Sequence, residues 1–79
     1  MTGIRFYTRQ GCPLCEEALE VTLPLAAAAG VSVDLIDIDL DLALLKAYND
    51  RVPVIETENG EAIDEGMVDA AVVREFLGL

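Results

Sequence analysis

Cys12-Pro13-Leu14-Cys15, entered from the strand-like run Ile4-Arg5-Phe6-Tyr7-Thr8 through Arg9-Gln10-Gly11, is the stretch on which the reading of this chain turns. A CxxC that opens a helix sets its first sulfur against unpaired backbone N–H groups and the positive end of the helix dipole, both of which favour thiolate over thiol. The second sulfur lies one turn further on, placed to resolve what the first attacks. Pro13 suits the first helical position, because its fixed φ is already helical and its missing N–H is one the helix would leave unpaired. The pattern points to dithiol redox chemistry, with Cys12 as the exposed attacking thiolate and Cys15, more buried, as the resolving thiol.

Composition narrows the alternatives. The chain has 79 residues, enough for one domain, 1–79, with a modest core: at this size about 60% of the unfolded surface is buried on folding. Hydrophobic residues make up 53% of it, yet charges break every apolar run short of the roughly 18 residues a membrane helix needs. Five basic against fifteen acidic residues give a net charge of −10, which disfavours phosphate backbones and anionic lipid. No basic n-region, apolar h-region or cleavage site stands between Met1 and the first strand, so a cytoplasmic location is expected. In a reducing compartment a lone CxxC is catalytic or metal-binding more often than a structural staple. With two cysteines and no histidine, a four-ligand zinc site is hard to build and a Cys-His nucleophile pair is absent, so no metal is expected. Asp37, Asp39 and Asp41 mimic the start of a calcium loop, but Leu42 stands where a glycine is needed and Tyr48 where a bidentate glutamate belongs.

Outward from the CxxC, Gly3 to Thr8 reads as a strand and the segment from Cys12 as a helix with Leu14, Ala18, Leu19, Val21 and Leu25 at helical spacing. Pro24 predicts a kink or an early end near Val21, with Ala26 to Ala29 as a last turn and Gly30 as its stop. Val31 to Ile38 has the β-branched, apolar pattern of a buried parallel strand, which completes a right-handed βαβ unit. Asp39 or Asp41 caps a second helix, with Leu42, Leu45 and Tyr48, or Leu44 and Tyr48, as its buried stripe; Asn49 and Asp50 end it. Val52 to Thr57 reads as a third strand, Glu58-Asn59-Gly60 as a tight turn, and Glu61 to Asp64 as a fourth strand. A last helix from about Met67 to Leu77 buries Val68, Val72 and Phe76. Phe6 and Tyr7 alternate across the first strand, one in the core and the other over a second layer.

With these elements in place the chain resembles a small glutaredoxin, or a glutaredoxin-like member of the thioredoxin-fold superfamily. The resemblance rests on the CPxC after the first strand, the order β-α-β-α-β-β-α, the Val52-Pro53 that opens the third strand, and Gly66 with Asp69 at the start of the last helix. It implies an α/β fold with a four-stranded mixed sheet and helices on both faces. It also implies that Pro53 is cis and packs beside the CxxC; sequence alone would not give that isomer, since about 5% of X-Pro bonds in folded proteins are cis. In such proteins the residue before the cis-proline, here Val52, offers its N–H and C=O to an extended substrate segment, aiming its sulfur at Cys12. Pro13 and Leu14 belong to the same substrate-facing surface.

The resemblance also assigns roles to charged residues. Arg9 matches a position where many glutaredoxins carry Lys or Arg, which helps stabilise the thiolate and meets a glutathione carboxylate. Arg51 stands where a Thr often precedes the Val-Pro. Gly66 and Asp69 match the pair that holds the γ-glutamyl end of glutathione, although Glu65 and Val68 replace the usual Gly and Thr. For Arg9 and Arg51 the plain alternative is a solvated loop charge, and for Asp69 a helix-capping acid. Glu16 and Glu17 sit directly after the site and oppose a thiolate there, so Cys12 is expected to be acidified below ~8.5 but less than in relatives lacking these charges.

The expected function is thus a glutaredoxin-like dithiol-disulfide oxidoreductase, monomeric, acting on protein disulfides or glutathione mixed disulfides. It needs no tightly bound cofactor, only glutathione, another thiol or a reductase protein as electron donor. Two rivals stay open: a glutathione and iron-sulfur-binding module, and a redox-inert adaptor on the same fold.

Overall fold

The computed structural model describes residues 3–79; Met1 and Thr2, where the expected domain and its leaderless start begin, lie outside the described residues. Three helices and four strands follow in the order β1 (Gly3–Thr8), α1 (Pro13–Ala29), β2 (Ser32–Asp37), α2 (Leu42–Tyr48), β3 (Val54–Thr57), β4 (Ala62–Glu65) and α3 (Ala70–Leu77), with a single 3₁₀ turn over Ile38–Leu40 between β2 and α2. The sheet order is β2-β1-β3-β4. β1 runs parallel to β2 and antiparallel to β3, and β3 antiparallel to β4, which makes the sheet mixed as expected.

Alternation along β1 divides the core between the two faces. Phe6 and Ile4 point to one side, where they meet Ala18 of α1, Ile55 and Val73 of α3. Tyr7 points to the other, where it packs with Val54 and Ile38 under Leu44, Leu45 and Tyr48 of α2. Each large apolar side chain buried in this way contributes about 1.5–3 kcal/mol. The expectation of one tyrosine or phenylalanine per layer therefore holds.

Four details differ from the sequence reading. Pro24 does not break α1, which runs unbroken from Pro13 to Ala29. Cys15, Ala18, Thr22 and Ala26 continue one buried face on both sides of the proline, while Pro24 itself is exposed, so packing of that face outweighs the single lost N–H bond. Gly30 ends the helix as expected, in the left-handed region at φ 70°, with its N–H donated to the carbonyls of Ala26 and Ala27.

β2 is a parallel strand but an edge one, and Asp34 and Leu35 are exposed, so its apolar composition does not signal burial on both faces. In α2 the stripe is Leu44, Leu45 and Tyr48, with Leu42 exposed. α3 starts later than Met67, because Asp69 is its cap and accepts the N–H of Ala71 at 2.8 Å. That shifts the buried face to Val73 and Leu77, while Val72 and Phe76 are exposed. Val68 packs into the same cluster as Val73 from just before the cap, the arrangement of a hydrophobic staple.

Candidate functional site

Strand directions collect the site at one end of the sheet. Tyr7 pairs with Val54, so the end of β1 that leads into Cys12 lies beside the start of β3 and therefore beside Val52-Pro53. Val54 pairs with Glu65, which brings Gly66 and the approach to α3 to the same end. Thr8 pairs with Asp37, which adds the turn after β2. Loops from four distant parts of the sequence thus meet where the CxxC stands.

Cys12 is the N-cap of α1 and Pro13 its first helical residue. The two cysteines are joined in a disulfide. The Sγ of Cys12 accepts the backbone N–H of Cys15 at 3.1 Å, so the helix-end donor that a thiolate would use already points at this sulfur. Cys15 is 1% exposed, Cys12 half-buried, and Pro13 and Leu14 exposed, with Leu14 at 41%. The difference in exposure is the one the sequence suggests: Cys12 is partly open to solvent and Cys15 is closed off from it.

Val52-Pro53 is a cis peptide bond, as the resemblance implies, and Pro53 is fully buried. Its carbonyl accepts the N–H of Gly66 at 2.8 Å, which pins the approach to α3 against the proline loop. Gly66 sits at φ 70°, a conformation that glycine adopts without strain. Val52 donates its N–H to the Tyr48 carbonyl at 3.2 Å, and Arg51 donates to the same carbonyl at 2.9 Å. The loop before the proline is therefore hung from the end of α2. Next to Gly66, Met67 is 83% exposed.

Both cations singled out from the sequence lie at this end, and both are engaged. Arg9 donates to Asp39 at 2.8 Å and to the side-chain oxygen of Asn49 at 2.7 Å, joining the turn after β2 to the end of α2. Arg51 grips Glu65 through two nitrogens at 2.9 and 3.3 Å. The hydrogen bond and charge of Arg51 hold the Glu65 carboxyl below the usual glutamate range. Asp69 is occupied as the cap of α3, and its N–H is donated to Asp64 at 2.9 Å.

Behind the proline loop lies a polar cluster that sequence reading missed. Arg51 also stands over the Tyr48 ring at 5.1 Å, Tyr48 stacks on Tyr7 with centroids 4.2 Å apart, and the Tyr48 hydroxyl donates to Glu56 at 2.8 Å. Glu56 is 6% exposed although it lies on a strand. Burial, and then the bond to Glu56, push the Tyr48 phenol well above its ordinary range. The available signal was Glu56 itself, the one acid within Val54-Ile55-Glu56-Thr57 and, by alternation, on the same face as Val54.

Among the described residues no helix is long and apolar enough to cross a membrane. A model of the glutaredoxin-like domain family (DUF836) matches residues 3–78. Among solved structures, protein XcR50 of X. campestris is similar at 36% identity and a TM-score of 0.77, with 95% of each chain covered. Protein Ne2328 of Nitrosomonas europaea is similar at 29% identity and a TM-score of 0.76, over 94% of this chain and 88% of that one. A thioredoxin variant from Halobacterium salinarum is similar at 26% identity and a TM-score of 0.71, over 95% of this chain and 70% of that one. Comparison with curated proteins finds no match. A CxxC disulfide capping α1, a cis-proline at the head of β3, the mixed four-stranded sheet and a family match over nearly the whole length agree: the chain belongs to the glutaredoxin-like domain family and has the thioredoxin fold.

Proposed function

We propose that the protein is a dithiol-disulfide oxidoreductase that reduces disulfides of other molecules through Cys12 and Cys15. The observation that carries this reading is the asymmetry of the two cysteines: a half-buried Cys12, whose Sγ accepts a helix-terminal N–H, joined to a Cys15 that is 1% exposed. In the reduced protein the Cys12 thiolate attacks one sulfur of the substrate disulfide. A Cys12–substrate disulfide forms and the other half leaves as a thiolate, which takes up a proton. Cys15, losing its proton, then attacks Cys12 Sγ, so that the Cys12–Cys15 disulfide forms and the second half is released. Two electrons pass from the dithiol to the substrate. A thiol or a reductase protein returns them, a cycle suited to a reducing cytoplasm.

Val52 and the exposed Pro13 and Leu14 supply the contact surface for an extended substrate segment. Because the Val52 N–H already serves the Tyr48 carbonyl, the backbone group of Val52 that meets the substrate is its carbonyl. Trapping tests the assignment of roles. Cys15→Ser should accumulate a mixed disulfide with a model disulfide peptide, and Cys12→Ser should form none; accumulation by the Cys12 variant instead would reverse the roles.

A further inference from the structure

The redox end of the sheet has an unusual charge arrangement. Its two arginines are both held by carboxylates of the same chain, Arg9 by Asp39 and Arg51 by Glu65. The segments that meet at this end also carry Glu16, Glu17, Asp50 and Asp64; none forms an ion pair with a cation among the described residues, although Asp64 accepts the N–H groups of Glu65 and Asp69. Glu16 lies in the first turn of α1, directly behind the CxxC, and Glu17 follows it. Glu17 is three residues from Leu14 on the same helix, so the two are neighbours on its surface. Leu14, beside the exposed Pro13, and Met67 are exposed apolar side chains of the CxxC and of the Gly66 loop. These segments thus offer exposed apolar side chains together with acids that no cation pairs, on a chain of net charge −10.

Beyond what backbone N–H groups can offer, charge pairing for an anionic ligand such as glutathione would have to come from one of these two arginines. To provide it, Arg9 would have to leave Asp39 and Asn49, or Arg51 would have to leave Glu65, and each departure strands a carboxylate beside the arriving one. A cationic segment needs no such rearrangement. Its charges meet Glu16, Glu17 and Asp50 while an apolar residue next to its cysteine covers Leu14 or Met67.

We infer that the redox face selects protein disulfides flanked by lysine or arginine and discriminates against anionic thiols and disulfides, glutathione included. The inference rests on the oxidoreductase reading above and specifies its substrate class.

Single-turnover kinetics of the pre-reduced protein test it without any electron donor. Three short peptides, identical except for flanking lysines, glutamates or glutamines, each carry a mixed disulfide with 2-mercaptoethanol. Each rate is divided by that of the same peptide with dithiothreitol, which removes the intrinsic reactivity of the disulfide. At low salt the lysine peptide should react about tenfold faster than the glutamate peptide, with the glutamine peptide between them, and added salt should close the gap. Glu16→Gln with Glu17→Gln should shrink the ratio severalfold. Glu58→Gln with Glu61→Gln makes the same change in net charge at the other end of β3 and should leave it nearly intact.

Equal rates for the three peptides, or an equal effect of the two double variants, would overturn the inference while leaving the oxidoreductase standing. Failure of the reduced protein to react with any of the three would overturn the oxidoreductase reading, and the inference with it.

Discussion

Cys12 and Tyr48 both sit in surroundings unlike those of a free side chain. In the reduced protein, the Cys15 N–H and the positive end of α1 favour the Cys12 thiolate, while Glu16 and Glu17 oppose it. Cys12 should therefore titrate below ~8.5, and Glu16→Gln with Glu17→Gln should lower its midpoint further. Thiolate absorbance against pH measures both, and an unshifted wild-type midpoint would contradict the account. Tyr48 carries a different load, since its hydroxyl donates to a carboxylate that is nearly closed off from water. Tyr48→Phe strands an oxygen of Glu56 and should cost about 1–3 kcal/mol in denaturant unfolding.

The sign of the pH effect follows from the raised phenol. A group whose pKa is higher in the folded state gives stability that is complete below its unfolded value of ~10 and is lost as pH rises through the folded value. The wild type should lose stability on that alkaline side, and the Phe variant should lack this part of the decline. Cys12, Cys15 and Pro13 could be read from the sequence because their chemistry is local. The partners of Tyr48 could not, because residues 7, 48, 51 and 56 meet only after strand pairing and the seating of α2.

At the scale of elements, the sequence was most legible where one residue dictates a terminus. Gly30 stops α1 and Asp41 caps α2, accepting the N–H groups of Ala43 and Leu44. It was least legible where tertiary packing outvotes local preference. Pro24 reads as a break but sits on the exposed side of a helix whose buried face continues through Thr22 and Ala26. Pro24→Ala should therefore restore one helical N–H bond without disturbing the core and stabilise the protein, by at most about 3 kcal/mol. Thermal or denaturant unfolding reads this directly, and a loss of stability would mean that the proline is accommodated by packing that the alanine cannot supply. In α3 the expected Val68 packs into the core, but Val73 and Leu77 take the places expected of Val72 and Phe76 for a related reason: Asp69 fixes where the helix begins, and the choice between Val72 and Val73 depends on that start.

The molecule as a whole places its chemistry at one end of a small mixed sheet. Antiparallel pairing of β1 with β3 and of β3 with β4 brings the CxxC, the cis-proline and the Gly66 loop together. Order and type of elements sufficed to foresee this, as did the fifteen acids to foresee a negative surface. That both nearby arginines would be spent on internal pairs could not be foreseen, because Arg9 finds Asp39 thirty residues away and Arg51 finds Glu65 across the head of β3. The internal pairs leave neither of these arginines free of a carboxylate at the end of the sheet where the CxxC stands.

If the protein is a dithiol-disulfide oxidoreductase, Cys12 and Cys15 cycle between dithiol and disulfide. Equilibration of the pure protein with graded mixtures of reduced and oxidised dithiothreitol, followed by alkylation and mass measurement, tests it most directly. One reversible two-electron transition is expected, with both cysteines alkylated on the reducing side and neither on the oxidising side. Cysteines that stay alkylatable across the whole series, or that cannot be alkylated at either end, would contradict it.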